Sequence, residues 1–310
     1  MMTAKTKPRV LVTGADLAPQ ALAILSDYEV VYAGARPTEA DLIRLSATLD
    51  PIALIVRYGR VTASIMDAGK SLRVISKHGS GIDTIDVDAA NARGVRVVAA
   101  VGANAAAVAE HAIGLLLACA KSIPDLNTRT HAGHWDKSTH KSIELEGRTL
   151  GLVGLGAIGR RVAAIAQAMG MRVIGFDPFA VDLPEAIERV DLPTIWAQSD
   201  AISLHCPLTG ENRNLVNAAT LAQCKPGVIL VNTARGGLID EPALVAAIRQ
   251  GKVACAGIDS FSTEPPPADH VFFGQPGLIL SPHIGGVSSD AYVKMGCGAA
   301  KNIVAILGGL

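Results

Sequence analysis

Short apolar runs alternate with amphipathic stretches along the whole chain. In the first hundred residues, apolar runs such as Val10–Thr13 and Ile52–Val56 predict buried strands, and stretches such as Thr38–Thr48 have the apolar spacing of helices. From about Thr149 a second series predicts strands at 149–153, 171–176, 200–204, 228–232, 254–258 and 278–280. Strands that alternate with helices are typical of parallel sheets with helices on both faces. We therefore predict an α/β protein with two doubly wound parallel-sheet domains.

Helices of the second series are predicted at 159–169, 217–223 and 241–250, and two longer helical stretches cover about 103–121 and Ser288–Leu307. Residues Asn104–Ala120 are apolar nearly all round, which fits burial inside one subunit or a subunit interface. Between these alternatives we favour the interface, and so predict a homodimer.

Composition narrows the class of protein. The chain has 310 residues, 49% of them hydrophobic and 18% charged, which suits two folded domains and argues against disorder. Its formal net charge is zero, so we expect no nucleic-acid partner. Five cysteines without C-x-x-C spacing suit a reducing compartment, and no signal peptide or membrane span is evident. We expect a cytoplasmic protein without a bound metal and without a membrane partner.

A glycine-rich turn lies between a predicted strand and a predicted helix. Gly154 permits a tight turn, Gly156 lets the backbone approach a pyrophosphate, and Gly159 allows the helix to pack closely. Ala157 and Ile158, between the last two glycines, belong to the same predicted cofactor site. Asp177 ends the next strand, where a carboxylate can bind a ribose 2′-hydroxyl. No Arg follows it directly, so the pattern predicts NAD rather than NADP. The alternative is a tight turn in some other α/β protein.

Three polar residues follow later apolar strands: Arg235, Glu264 and His283. An Arg at a strand end can grip a carboxylate, and a His beside a carboxylate can exchange a proton near neutral pH. Each residue taken alone has an ordinary explanation, as a helix cap, a surface acid or a loop histidine. Together they suit reduction of a 2-keto acid, which needs a hydride, a proton and a cation for the carboxylate.

With their surroundings these residues resemble the D-isomer-specific 2-hydroxyacid dehydrogenases, particularly the 3-phosphoglycerate dehydrogenase branch. Seven motifs carry the resemblance in order: His78–Asp83 with Ile85-Asp86, Val108–Glu110, Gly151–Gly159, Leu204–Thr209, Asn232–Gly236, Asp259–Pro265 and Ser281–Gly286. The resemblance implies a flavodoxin-like substrate domain of residues 1–100 and 285–310, with a Rossmann NAD-binding domain, 101–284, inserted between. It also implies a reaction site in the cleft between the two domains. We expect no C-terminal regulatory domain and no serine feedback.

The resemblance also implies roles for individual residues. Arg235 binds the substrate carboxylate, His283 is the acid/base and Glu264 is its partner. The backbone of Gly79, Ser80 and Gly81 holds the carboxylate, and Asp259 faces the nicotinamide carboxamide. Arg235 and His283 are also expected to contact the cofactor. The further cofactor-binding positions are His205, Cys206, Pro207, Thr209, Thr233, Ala234 and Gly285.

The substrate is the least determined feature. Arg57 and Lys77, with Lys137, fall where the phosphoglycerate branch has basic residues, so 3-phospho-D-glycerate is the leading expectation, although these could be solvated surface residues. A hydroxypyruvate or glyoxylate reductase is the alternative. Formate dehydrogenases share the fold but typically carry Gln where this chain has Glu264. An alternative of another class is a corepressor-like protein that binds NAD as a sensor.

Overall fold

Two parallel sheets, each covered by helices, organise the chain. The computed structural model describes residues 7–308, and the chain divides into two units. Unit 1 holds the residues up to Asn104 and those from Val287 onward, and unit 2 holds Ala105–Gly286. The extreme ends of the predicted substrate domain, 1–6 and 309–310, lie outside the described residues. The predicted fold class is confirmed.

Unit 1 is built on a five-stranded parallel sheet in the order β2-β1-β3-β4-β5. Its strands are β1 Arg9–Val12, β2 Glu29–Tyr32, β3 Ala53–Val56, β4 Val74–Lys77 and β5 Arg96–Ala99. Its helices are α1 Pro19–Ile24, α2 Glu39–Leu49, α3 Ala63–Ala68, α4 Val87–Ala92 and the last helix of the chain, α11 Ser289–Leu307. α11 packs against α1 and β4, so the two ends of the chain share one core.

Unit 2 is built on a seven-stranded parallel sheet in the order β12-β11-β10-β9-β6-β7-β8. Its strands are β6 Thr149–Val153, β7 Arg172–Phe176, β8 Glu188–Arg189, β9 Ala201–Leu204, β10 Val228–Asn232, β11 Val253–Ile258 and β12 Leu278–Leu280. Its helices are α5 Ala105–Lys121, α6 Ile123–His131, α7 Ala157–Ala168, α8 Leu192–Gln198, α9 Ala218–Gln223 and α10 Glu241–Arg249. β6, β9 and β10 are buried throughout because helices cover both faces of the sheet.

The apolar helix α5 packs on α7, β10 and β11 of its own unit. Nine of its 17 residues are buried there, among them Val108, Leu115 and Leu116. Burial within one chain therefore accounts for much of its apolar surface, and the homodimer stays a prediction. No single helix of residues 7–308 is long and apolar enough to cross a membrane, although the pair α5 and α6, bent by 60°, reaches that length and composition together.

Three elements of unit 2 are not predicted by the sequence pattern. α6 buries none of its residues, so it lacks the apolar stripe that marks a helix. β8 has only two residues, and α8 is a seven-residue helix with Pro193 in its first turn. Elements that are short or that bury no residue give too weak a periodicity to be recognised.

Candidate active site

The glycine turn between β6 and α7 uses its three glycines differently. Gly154 has a φ of +99°, and a Cβ there would lie 2.6 Å from the amide nitrogen of Cys206. A Cβ at Gly159 would lie 2.1 Å from the carbonyl oxygen of Gly154. Both glycines are therefore needed by the protein's own packing. Gly156 differs, because a Cβ there would meet no described atom within 4 Å. Its missing side chain leaves space that the protein does not fill.

The helix that follows this turn begins without a side-chain cap. Gly156 is the N-cap of α7 and makes no side-chain hydrogen bond to the first-turn amides. Uncapped N–H groups at a helix N-terminus attract phosphate oxygens. Asp177, at the end of β7, accepts hydrogen bonds from the amides of Leu155 at 2.8 Å, Phe179 at 2.8 Å and Ala180 at 3.1 Å. The acid predicted to bind the ribose is thus held at the edge of the turn.

Two arginines lie at the loop after Asp177, although neither follows it directly in the sequence. Arg189 donates to the carbonyl oxygen of Asp177 at 3.0 Å. Arg160 donates to the carbonyl oxygens of Val181 at 2.8 Å and Asp182 at 2.9 Å. Both guanidinium groups are engaged by main-chain oxygens of the loop. The fold, which brings α7 and β8 to this loop, supplies arginines that the local sequence does not indicate.

Two polar atoms beside the turn lack a protein partner. His205 follows β9, and its Nε2 lies 2.9 Å from Oγ of Ser203. Its Nδ1 and Oγ1 of Thr233 are buried without a hydrogen-bond partner in residues 7–308. Burial lowers the pKa of His205 to about 4, so the ring is neutral at physiological pH. Buried polar atoms normally have partners, which suits a polar ligand here.

The loop after His205 is held by a residue that the sequence pattern does not single out. Asn212 donates to the carbonyl oxygen of Pro207 at 2.7 Å and lies 3.9 Å from Sγ of Cys206. Its Oδ1 accepts from the amide of Thr209 at 2.7 Å. The positions predicted to line the cofactor site are therefore fixed by one amide side chain. The sequence feature that could have identified this role is an Asn three residues after Thr209, because Asn side chains commonly close such turns.

Arg235 lies at the carboxyl end of β10, in a turn shaped by a fully buried amide. Asn232 accepts from the amide of Ala234 at 3.0 Å and donates to the carbonyl oxygen of Arg235 at 2.9 Å. Arg235 itself donates to the carbonyl oxygen of Ala234 at 2.7 Å and is half-buried. Ala234, one of the predicted cofactor positions, is buried beside it. The turn presents the guanidinium beyond the strand end, where ligands bind in such sheets.

Glu264 and His283 form the charged centre of this site. Oε2 of Glu264 lies 2.7 Å from Nδ1 of His283, and Oε1 accepts from the amide of Phe261 at 3.0 Å. The hydrogen bond to Glu264 raises the pKa of His283 above its ordinary value, although burial and the charge of Arg235 oppose this. Burial alone would raise the pKa of Glu264, but the hydrogen bonds from His283 and Phe261 outweigh it and lower that pKa. The contact with Glu264 therefore favours the protonated form of the imidazole.

The loop that carries His283 is fastened to a buried carboxylate. Asp259 accepts from Oγ of Ser281 at 2.6 Å, from the amide of Ile284 at 2.9 Å and from the amide of Gly285 at 2.8 Å. Between these bonds the backbone of His283 has a φ of +53°, a left-handed conformation that costs energy for a histidine. Asp259 therefore sets the position of His283. The contact to a nicotinamide carboxamide that we expect for Asp259 stays a prediction.

His111 of α5 completes this arrangement, and the sequence pattern marks it only as a polar interruption of an apolar helix. Its Nε2 lies 2.9 Å from Oγ of Ser281 and 3.4 Å from Oδ1 of Asp259. A Cβ at Gly285 would lie 2.9 Å from Oδ2 of Asp259, so that position needs glycine. The sequence marks this residue only as a histidine within an apolar helix. It does not reveal the partners, because they lie 148 and 170 residues further along the chain.

Unit 1 contains the predicted substrate-binding residues other than Arg235 and His283. Arg57 follows β3, and its guanidinium pairs with the carboxylate of Asp16 and donates to the Asp16 carbonyl oxygen at 2.7 Å. Lys77, at the end of β4, lies 3.4 Å from the carbonyl oxygen of Arg57. Tyr292 donates to Asp16 at 2.8 Å, and its ring lies 5.1 Å from the Arg57 guanidinium. Arg57 is therefore paired with a carboxylate of its own unit, which the sequence does not suggest.

The loop after β4 contains the predicted substrate-binding residues Gly79, Ser80 and Gly81. Gly79 has a φ of +138°, which favours glycine, and its N–H donates to the carbonyl oxygen of Lys77 at 3.0 Å. The contact of the Gly79, Ser80 and Gly81 backbone with a substrate carboxylate stays a prediction. Oγ of Ser80 lies 3.1 Å from Oδ1 of Asn104, which joins this loop to the segment after β5 in the same unit.

Comparisons with known proteins identify the family to which the chain is similar. Residues 113–285 match the family model described as D-isomer specific 2-hydroxyacid dehydrogenase, NAD binding domain. The hydroxypyruvate reductase of Thermotoga maritima is 43% identical over 82% of this chain and 84% of its own length. The D-3-phosphoglycerate dehydrogenase of Archaeoglobus fulgidus is 40% identical over 83% of this chain, which spans half of that relative's length. The crystal structure of the TT0316 protein from Thermus thermophilus superposes with a TM-score of 0.89 at 36% identity and 97% coverage of both chains.

Proposed function

Because the chain belongs to the D-isomer-specific 2-hydroxyacid dehydrogenase family, we propose that Arg235, Glu264 and His283 interconvert a small D-2-hydroxy acid and its 2-keto acid. The cofactor of the family is a nicotinamide dinucleotide, which supplies or accepts the hydride when bound. The observation that carries the proposal is the 2.7 Å contact between Glu264 and His283, which favours the protonated imidazole.

Each of the three residues has one task in the reduction direction. Arg235 binds the substrate carboxylate, for which a guanidinium has matching geometry. His283 donates its Nε2 proton to the carbonyl oxygen as this oxygen becomes a hydroxyl. Glu264 accepts from Nδ1, which fixes the orientation of the ring and stabilises its cationic form. In the oxidation direction the same imidazole, now neutral, takes the hydroxyl proton.

The residues around the glycine turn fit a dinucleotide. We propose that the open space at Gly156 and the uncapped N-terminus of α7 receive the pyrophosphate. The unpartnered atoms of His205 and Thr233 are available to polar groups of the cofactor. Asp177 would bind the ribose hydroxyls and repel a 2′-phosphate, which favours NAD over NADP.

For the substrate, the pairing of Arg57 favours an acid without a phosphate, such as hydroxypyruvate or glyoxylate. Hydrogen bonds from Tyr292 and Arg57 lower the pKa of Asp16, so this carboxylate is ionised at neutral pH. A substrate phosphate that approached Arg57 would meet that negative charge and compete with it. The hydroxypyruvate reductase relative, matched over most of its length, is in line with this preference.

The second candidate is 3-phospho-D-glycerate, the leading expectation from the sequence. Arg57 and Lys77 lie at the carboxyl ends of the neighbouring strands β3 and β4, where two cations could share a phosphate if Asp16 turned away. The phosphoglycerate dehydrogenase relatives support this candidate, although this chain covers only about half of their length.

Steady-state kinetics with hydroxypyruvate, glyoxylate, D-glycerate and 3-phospho-D-glycerate, each with NAD(H) and NADP(H), test the proposal. We expect turnover with NAD(H) and a higher kcat/KM for the unphosphorylated acids. The matched control is His283→Ala, which should abolish turnover and leave NADH binding nearly intact. Binding of NADH without turnover of any acid would instead support the sensor alternative.

A further inference from the structure

A further histidine–carboxylate pair, His270 and Glu241, lies buried in unit 2 and has no role in the proposed proton transfer. It belongs to what we call the Glu241 cluster, formed by Glu241, Ser262 and His270. The side chains of Glu241 and His270 are only 10% and 6% exposed. Oε1 of Glu241 accepts from the amide of Ser262 at 2.9 Å, and Oε2 lies 2.8 Å from Oγ of Ser262 and 3.1 Å from Nε2 of His270.

The hydrogen bonds of this cluster all point toward the carboxylate. The amide of Phe272 donates to Nδ1 of His270 at 3.3 Å, so Nδ1 is an acceptor. Nε2 therefore carries the hydrogen and donates it in a hydrogen bond to Glu241. The three donors from Ser262 and His270 therefore converge on one carboxylate. A buried carboxylate is tolerated only with such a set of partners. The cluster is thus a rigid connection between the start of α10 and residues 262–270.

The cluster holds the segment that carries Glu264. Ser262 lies two residues before Glu264, and the neighbouring amide, that of Phe261, donates to Oε1 of Glu264 at 3.0 Å. The same turn touches the Arg235 turn, because a Cβ at Gly236 would lie 1.9 Å from the carbonyl carbon of Phe261. The ring of His270 packs edge-on against Phe261 with centroids 5.5 Å apart. Backbone and side-chain contacts thus connect Glu241 to the position of Glu264.

We propose that Glu241 is a positioning residue of the reaction, which holds Glu264 against His283 through Ser262 and His270. The proposal rests on the proposed function, since it assigns Glu264 and His283 to proton transfer. Glu241 touches none of the reacting groups. It acts because a short hydrogen bond such as that between Glu264 and His283 tolerates little displacement of either partner.

The test is the isosteric variant Glu241→Gln. An amide can still accept from Ser262 but cannot accept from His270 at its nitrogen, so the cluster loosens while its volume is kept. We expect kcat for keto-acid reduction to fall roughly tenfold or more. The alkaline limb of the pH profile should move down toward the ordinary histidine value, because a weaker contact with Glu264 raises the pKa of His283 less. The other charges that face His283, Asp259 and Arg235, are unchanged in this variant.

The dissociation constant of NADH should stay within about twofold of the unmodified protein, since the glycine turn is not altered. Asp191→Ala is the stability control, because it removes a helix cap of α8 in the same unit without touching residues 259–272. It should lower the melting temperature and leave the pH limb in place. If Glu241→Gln does not fold, Ser262→Ala removes only the hydroxyl contact and should move the limb in the same direction by less.

The outcomes separate the two proposals. A folded Glu241→Gln or Ser262→Ala protein with an unmoved pH limb and nearly normal kcat would overturn the role of Glu241. An unmodified protein without a pH limb, or a His283→Ala protein that still turns over, would instead overturn the proposed function. NMR titration of the His283 imidazole gives the pKa directly and does not depend on turnover.

Discussion

Nδ1 of His283 lies 2.7 Å from Oε2 of Glu264, and Asp259 accepts hydrogen bonds from the amides of Ile284 and Gly285, the two residues that follow the same histidine. One carboxylate therefore faces the ring while another holds its backbone. The hydrogen bond with Glu264 is the main cause of the raised pKa of His283, and the charge of Asp259 adds to it. The hydrogen bonds of Asp259 also hold the loop that carries the histidine.

The pH dependence of reduction should report the pKa of His283. Reduction needs the imidazolium, so kcat/KM is high at low pH and falls as pH rises through the folded-state pKa, which lies above the ordinary 6.5. Glu264→Gln removes the charge that raises this pKa, so the limb should move to lower pH. Measurement of kcat/KM for hydroxypyruvate from about pH 5 to 9 checks this, a range that brackets histidine titration. A limb at the same pH in both proteins would contradict the role of Glu264.

Alanine substitutions at two glycines of one turn should affect different properties, NADH affinity at Gly156 and stability at Gly159. Gly156→Ala adds a methyl where no described protein atom lies within 4 Å, at a φ of −74°, so stability should change by less than about 1 kcal/mol. Affinity for NADH should nevertheless fall at least roughly tenfold, because the methyl occupies the space proposed for the pyrophosphate.

Gly159→Ala is the matched comparison. Its methyl would meet the carbonyl oxygen of Gly154 at 2.1 Å, so unfolding free energy should fall by about 1–3 kcal/mol or more. Urea unfolding and NADH titration of both variants check the pair. Equal losses of stability in the two variants would show that Gly156 is also a packing glycine.

Asp177 should determine the choice between the two nicotinamide dinucleotides. Asp177→Asn removes the charge that would repel a 2′-phosphate and keeps one carbonyl oxygen for the loop amides. The ratio of kcat/KM with NADPH to that with NADH should rise at least about tenfold. Arg160 and Arg189 are bonded to main-chain oxygens, so we expect no complete reversal of preference. An unchanged ratio would remove Asp177 from cofactor selection.

Asp16 should act against phosphorylated substrates if Arg57 binds them. Asp16→Asn leaves Arg57 without its carboxylate partner, so kcat/KM for 3-phospho-D-glycerate should rise roughly tenfold relative to D-glycerate. These two acids differ only by the phosphate, so the ratio of their kcat/KM values reports the effect of the phosphate alone. Asp41→Asn is the control, because it removes a carboxylate of the same unit that pairs only locally with Thr38 and Arg44. The same ratio in both variants would refute the role of Asp16.

The sequence alone identifies the features that rest on local chemistry. The alternation of apolar runs predicts both parallel sheets, because buried strands and covering helices have different periodicities. The glycine spacing predicts the turn after β6, since its tight geometry excludes other residues at Gly154 and Gly159. Arg235, Glu264 and His283 stand out because each charged or titratable group closely follows an apolar run.

Only the tertiary structure decides which distant groups become partners. Asp16 meets Arg57 across 41 residues, and Glu241 meets His270 across 29, because neighbouring strands bring separate loops to the same sheet edge. A glutamate in the sequence can be a surface residue or a buried hydrogen-bond acceptor, and the residues that pack over it decide which. The sequence therefore determined the chemistry that the chain carries, and the fold decided which charged groups become partners and how His283 is held.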